Sequence, residues 1–276
     1  MASEVNKQPN EQPQGPALNT PTHPFVDIHC HCLPGLDDGP ATMAEAVALC
    51  KALSDDGIST VVATPHQLGR WDDSNWAAPV RESVAGLKAA LAEAGIHLNI
   101  LPGADVRVDE RLTALIGQDK VLTVADAGRH VLLELPHETF IDIELLLVEL
   151  ASMDIRGIVT HPERNSFLKR QPDAVRKWLD HGCILQITAA SLAGRFGSES
   201  QRAAWYFLDM PFPLVVATDA HDLQSRGPCM SQAYAMLKEH RGRRIARLLC
   251  VDNPMRIVRG REALAVAELA SRGQNL

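Results

Sequence analysis

A chain of 276 residues, 46% hydrophobic and with a formal net charge of -7, is long enough to bury a large core, and about 250 residues is an ordinary size for one α/β barrel. The acidic balance argues against a nucleic-acid-binding surface, which is normally basic. No apolar run approaches the ~18 residues that a membrane-spanning helix needs, so no membrane insertion is expected.

Residues 1–24 are polar and rich in Gln, Asn and Pro. They lack the apolar stretch of a signal peptide and read as a disordered tail ahead of one domain over 25–276. Phe25 to His31 reads as a buried strand, whose side-chain period of two puts His29 and His31 on one face and Cys30 and Cys32 on the other. Ala41 to Asp55 has helical spacing (Met43, Val47, Leu49, Leu53) and stops at Gly57. Ser59 to His66 is a second strand, Asp73 to Ala94 a helix with or without an interruption near Pro79, and His97 to Val106 a third strand. Asp109 to Ile116 is a short helix. His130 to Leu135 is the fourth strand, Glu138 to Met153 an apolar helix, and Gly157 to His161 the fifth strand. Pro172 to His181 is a helix stopped by Gly182, Cys183 to Thr188 the sixth strand, Ser200 to Met210 a helix, and Pro213 to His221 the seventh strand. From Ser231 onward the chain is helical, with Asp252-Asn253-Pro254 capping a short piece.

Seven Val/Ile/Leu-rich strands alternating with helices describe a parallel α/β fold. His29, His31, His66, Asp105, Glu134, His161, Asp219 and His221 each end one of these strands. They recur at about the 30-residue spacing of a βα repeat, with the sixth strand skipped. In a barrel all strand carboxyl ends meet at one rim, so these side chains converge. One His-x-His pair is more often a hydrogen-bonded core feature than a ligand pair. Eight titratable groups at one rim are another matter, because burying them without a cation carries a large desolvation cost. Nitrogen and oxygen donors without thiolate favour manganese, iron or zinc, in more than one copy. Neighbouring ions can share a carboxylate, for which Glu134 is the candidate, and can activate a bridging water for in-line attack on phosphorus. Arg164 and Arg226 follow two of these strand ends in rim loops and suit phosphate recognition. Asp37 and Asp38 remain open between ligand, orienting group, proton donor and simple turn former before Gly39.

The six cysteines, Cys30, Cys32, Cys50, Cys183, Cys229 and Cys250, form no C-x-x-C pair. Most sit in apolar patterns as small hydrophobes and fit a reducing cytoplasm. Cys250 to Arg256 has the C-x5-R spacing of thiol phosphatases. It lacks glycine, carries Asp252, and includes Pro254 with no N–H for a phosphate loop, so the match reads as chance.

The segments DIHCHCLPGLDDGP, ATPH, PGADVRV, LLELP, THPERN, QITAAS, ATDAHD and Arg226-Gly-Pro together resemble the bacterial polymerase-and-histidinol-phosphatase (PHP) proteins. Within them, the chain looks most like the manganese-dependent tyrosine phosphatases of capsule and exopolysaccharide gene clusters. The resemblance spans about Phe25 to Arg259. It implies a distorted (β/α)7 TIM-like barrel with two or three metal ions, manganese first and iron or zinc as substitutes. It also implies hydrolysis of phosphotyrosine, typically on the tail of a polysaccharide-assembly tyrosine kinase in the cytoplasm. By that likeness the metal ligands fall on His29, His31, His66, Glu134, His161, Asp219 and His221, the phosphate arginines on Arg164 and Arg226, and the loop aspartate on Asp38. The chain departs from the pattern at Asp105, where a Glu is usual, at Gln67, where a second His is common, and in its N-terminal tail. Two rivals stand beside this reading: a small-molecule phosphatase or phosphodiesterase of the same superfamily, and a metal-bound regulatory scaffold without turnover. The sequence leaves self-association open.

Overall fold

The apolar runs read as strands are strands in the computed structural model, which describes residues 24–268. Apart from Pro24, the tail expected over 1–24 lies outside the described residues, as does the chain beyond 268. The strands are β1 (Phe25–Cys30), β2 (Ile58–Ala63), β3 (His66–Gln67), β4 (Asn99–Pro102), β5 (Asp105–Arg107), β6 (His130–Glu134), β7 (Arg156–Thr160), β8 (Ile184–Thr188) and β9 (Leu214–Ala217). All their pairings are parallel. The expected second strand divides into β2 and β3 around Pro65, which has no N–H for a ladder. The expected third divides into β4 and β5 at Gly103, where a Cβ would lie 2.5 Å from Val62 Cγ1.

With each broken pair followed as one path, seven strands run in sequence order around a ring. The ring returns on itself where Cys30 bridges Ala220 in parallel. There the His31 N–H donates to the Ala220 carbonyl at 2.9 Å and the Asp219 N–H to the His29 carbonyl at 2.8 Å. The result is an α/β, TIM-like ring, distorted where the two breaks divide it into a three-stranded and a six-stranded sheet.

Inside the ring, Val26, Ile28, Val62, Leu132, Ile158, Ile184, Val215 and Ala217 form one apolar cluster, joined by Ile257 and Ala263 from the C-terminal segment. A larger cluster lies between strands and helices. Helix α1 (Met43–Asp55) starts at a capping box between Thr42 and Glu45 and buries Ala46, Leu49, Cys50 and Leu53, the i, i+3, i+4, i+7 stripe of a helix packed on a sheet. Met43, expected on that stripe, is exposed instead.

Helix α2 (Ala77–Glu93) is not broken at Pro79. Proline in the first turn removes an N–H that has no helical acceptor anyway. Helices α3 (Leu112–Gly117) and α4 (Glu144–Ser152) start later than the apolar pattern does. Residues 172–181 form a 3-10 rather than an α-helix, ended by Gly182 at φ 69°. Helices α5 (Ala189–Leu192), α6 (Gly197–Leu208), α7 (Met230–Arg241) and α8 (Arg243–Arg247) follow. A π turn over Leu248–Asp252 then leads straight into α9 (Asn253–Val258). Asp252 is therefore no cap: its backbone is helical and its carboxylate accepts from Arg247 Nε at 3.2 Å. Among the described residues no helix is long and apolar enough to cross a membrane.

At the foot of β6, away from Glu134, His130 is 2% exposed, with neither ring nitrogen hydrogen-bonded. Burial, with Arg129 and Arg156 nearby, lowers its pKa from 6.5 to about 4. Between those values the unfolded chain holds more protons than the folded one, so this group makes stability fall as pH drops from about 6.5 to about 4, by about 3 kcal/mol at most. His130→Leu is expected to remove that part of the slope. The test is urea unfolding of both proteins at pH 7 and pH 5, where the variant should lose less stability than the wild type.

Candidate metal centre

His29 and His31 leave the end of β1 with their Nε2 atoms 3.2 Å apart. Their far nitrogens are engaged: His31 Nδ1 donates to Asp37 Oδ2 at 2.6 Å, and His29 Nδ1 donates to Gln186 Oε1 at 2.8 Å. A neutral ring that donates from Nδ1 presents a bare lone pair at Nε2, so two lone pairs face each other. Around them stand Asp219 Oδ1, 3.3 and 3.4 Å from the two Nε2 atoms, and Asp105 Oδ2, 3.5 Å from His29. His66 Nδ1 lies 3.5 Å from Asp105 Oδ2 and 3.6 Å from Glu134 Oε2. His161 Nε2 is 4.0 Å from Asp105 Oδ2, and the His221 ring stacks on His31 at 3.8 Å.

All eight strand-end residues thus meet at one rim. With Asp38 from the loop after β1, they form four overlapping groups of donors: His31, Asp38, His66 and His221; His29, Asp105 and His161; His29, His31 and Asp219; His66, Asp105 and Glu134. Asp105 falls in two of these groups and Glu134 in one, so both carboxylates stand among the donors. From β5, Asp105 Oδ2 lies 3.5 Å from both His29 and His66. Gln67, on the opposite face of β3, does not point at the site: it accepts from the Leu122 N–H at 3.0 Å and donates to the Asn75 carbonyl.

This donor set fits divalent cations. His66 Nδ1, Asp105 Oδ2, Asp219 Oδ1 and His221 Nε2 are buried without a hydrogen-bond partner, although buried polar atoms are normally satisfied. Burial, with Asp105 adjacent, raises the Glu134 pKa to about 7, as expected of carboxylates crowded together without a counter-ion. Burial also opposes charge on Asp219, yet His29 and Arg226 hold its carboxyl well below the ordinary range.

The loops explain the motifs. His161 (φ 35°) and Asp219 (φ 53°) have left-handed backbones, a strain that the surroundings must impose. After His161, buried Glu163 Oε1 accepts from the Thr188 N–H at 3.0 Å and the Ser191 hydroxyl at 2.7 Å. Asn165 Nδ2 donates to the Pro136 carbonyl at 2.7 Å. Arg164, aimed by these ties, bonds Asp219 and lies over the Phe196 ring at 4.5 Å. After His221, Asp222 Oδ1 accepts from the N–H groups of Gln224, Ser225 and Arg226. Arg226 Nη2 then reaches Asp219 Oδ2 at 2.6 Å. Below, Asp27 accepts from the Thr218 N–H at 3.0 Å and fixes the strand end that carries Asp219.

The two loop aspartates separate. The Asp37 carboxylate is buried, orients His31, and accepts from the N–H groups of Gly39 at 3.0 Å and His66 at 3.1 Å. Asp38 faces the pocket, with Oδ1 3.4 Å from His221 Nε2 and 3.5 Å from His66 Nε2. His221 and His66 hold its carboxyl far below the ordinary range, which suits a ligand or counter-charge better than a stored proton. At Gly39 a Cβ would lie 2.5 Å from the His31 carbonyl oxygen, a backbone atom that cannot swing away. Gly39→Ala is expected to displace the Asp37 loop, lowering divalent-metal affinity about 10- to 100-fold and stability by about 1–3 kcal/mol. Calorimetric manganese titration and a melting curve check both.

Arg70, Trp71, Arg107 and His137 also line the pocket; Arg70, Trp71 and His137 lie in loops beyond the strands, and Arg107 ends β5 one residue past the expected third strand. Arg107 Nη2 is 3.0 Å from Glu134 Oε2, and His137 stacks on His161 at 5.5 Å. Gln186, on the sixth strand that was skipped, holds His29; a polar residue inside an otherwise apolar strand was the signal for it.

Residues 25–259 match the family model for capsular polysaccharide synthesis, CpsB/CapC. The chain is 29% identical to the tyrosine-protein phosphatase YwqE of Bacillus subtilis over 226 residues, covering 82% of this chain and 88% of YwqE. It is 30% identical to the tyrosine-protein phosphatase CpsB of Streptococcus pneumoniae over 241 residues, covering 85% and 98%. A solved structure from work on YwqE and CpsB, described there as metal-dependent tyrosine phosphatases, superposes with a TM-score of 0.82 at 28% identity, over 88% of this chain and 99% of the other. The ring, its crowded rim and the match over nearly all of the described residues agree: the chain belongs to the CpsB/CapC family.

Proposed function

We propose that this chain is a manganese-dependent protein-tyrosine phosphatase of the PHP superfamily, acting on the phosphorylated tail of a bacterial tyrosine kinase in capsule or exopolysaccharide assembly. The observation that carries the reading is the pair of His29 and His31 Nε2 atoms facing each other between Asp105 and Asp219, with two arginines on the outer side of the same Asp219 carboxylate. Bound there, divalent cations supply the charge that draws in phosphoryl oxygens and acidifies a water. His29, His31, His66, Asp105, Glu134, His161, Asp219 and His221 hold them, Gln186 and Asp37 keep the first two rings turned inward, and Asp38 closes the rim. Arg164 and Arg226 take the non-bridging phosphoryl oxygens and stabilise their charge as the ester bond lengthens. A phenolate is a good enough leaving group to need little help from an acid.

Manganese suits a set of imidazole and carboxylate donors without thiolate. The barrel is one unit from residue 25, preceded by a tail, and a cytoplasmic setting agrees with six unpaired thiols. The test is metal analysis of protein purified without chelator, followed by turnover of phosphotyrosine peptide, histidinol phosphate and nucleotides with added manganese. Preference for the peptide supports the reading. Preference for a small molecule supports the first rival, and a metal-loaded protein that releases no phosphate from any aryl ester supports the scaffold.

A further inference from the structure

We infer that Trp71 is a specificity-determining residue that takes the aromatic ring of the substrate's leaving group; this rests on the phosphotyrosine reading above. The pocket wall is almost wholly polar: carboxylates, imidazoles and the guanidinium groups of Arg70, Arg107, Arg164 and Arg226. The apolar exceptions are Leu68 and Trp71, both from one turn. An aryl ring that enters with its phosphate on Arg164 and Arg226 is solvated poorly by charged groups, and an indole offers it both area and a complementary quadrupole.

The turn is built to hold that indole in place. Leu68 (φ 65°) and Gly69 (φ 60°) are left-handed, and the Trp71 N–H closes the turn on the Leu68 carbonyl at 3.0 Å. Gly69 lies so close to Arg107 that a Cβ there would come within 3.0 Å of Arg107 Cγ. Arg70 lies over the indole at 4.9 Å, with its guanidinium 3.6 Å from Asp38 Oδ2. The indole N–H is turned away from the pocket mouth and buried, which leaves the apolar ring as what Trp71 offers a substrate. His137, the other ring on the wall, is already stacked on His161.

The experiment compares wild type, Trp71→Ala and Trp71→Phe, each loaded with manganese, on a phosphotyrosine peptide, with inorganic phosphate as a competitive inhibitor that has no ring. The expected result is a KM for the peptide raised about tenfold in Trp71→Ala, an inhibition constant for phosphate within about twofold of wild type, and recovery of most of the KM in Trp71→Phe. An unchanged KM overturns the assignment. So does a parallel rise in KM and in the phosphate constant, or a Phe variant as impaired as Ala, because each marks a structural role only. A wild type that binds phosphate but hydrolyses no phosphotyrosine sinks the functional reading itself, an outcome distinct from those three.

Discussion

Asp219→Asn is expected to lose bound divalent metal and to lower turnover of an aryl phosphate by at least about a thousandfold, equivalent to about 4 kcal/mol. The reason lies in what surrounds this carboxylate. Its Oδ1 faces two imidazole lone pairs and accepts no hydrogen bond, while its Oδ2 accepts from Arg164 and Arg226. Asparagine keeps the size but removes the charge and turns one oxygen into a donor. Either the amide N–H groups then face the guanidinium groups, or they face the cation position. Removing one partner from a buried charge cluster costs about 3–5 kcal/mol, and here the loss falls on a ligand as well. Elemental analysis and an aryl-phosphate assay on the same sample decide it: full metal content with normal turnover removes Asp219 from the ligand set.

Arg226→Ala is expected to lower kcat/KM by about 10²- to 10³-fold, the usual loss when one preorganised donor to a developing charge is removed. Arg164→Ala should act similarly. The double variant should lose less than the two effects combined, since both side chains share Asp219 and are not independent. Arg226→Lys should recover only part of the loss, because an ammonium cannot reproduce a planar, bidentate grip. Inhibition by inorganic phosphate separates this role from a simpler one. A phosphate clamp predicts weaker inhibition at unchanged metal content, whereas arginines that merely neutralise Asp219 predict altered metal content and unchanged inhibition.

The site was legible where chemistry coincides with periodicity. His29, His66, Asp105, Glu134, His161 and Asp219 recur at the ends of apolar runs, and a ring of parallel strands leaves them nowhere to go but one rim. Trp71 and Arg107 escaped because they belong to the turn and the strand end that follow Pro65 and Gly103, where regular pairing is interrupted and a pattern of period two says nothing. The late start of α4 has a similar cause: residues 138–143 are apolar enough for a helix, but Asn165 ties down the carbonyls of Pro136 and Thr139. Asp252 misled for a subtler reason. Asp-Asn-Pro has the composition of a helix start, yet α8 and the π turn already supply the preceding turns.

The six sulfur atoms of the chain carry one more consequence. Every cysteine is free and buried, and the Cys250 thiol, inside the π turn, is pushed up by its apolar surroundings. Peroxide and alkylating reagents act on accessible thiolates, and this molecule offers them none. A centre built of imidazoles and carboxylates therefore has no thiolate to lose to such reagents, unlike a thiol-dependent phosphatase.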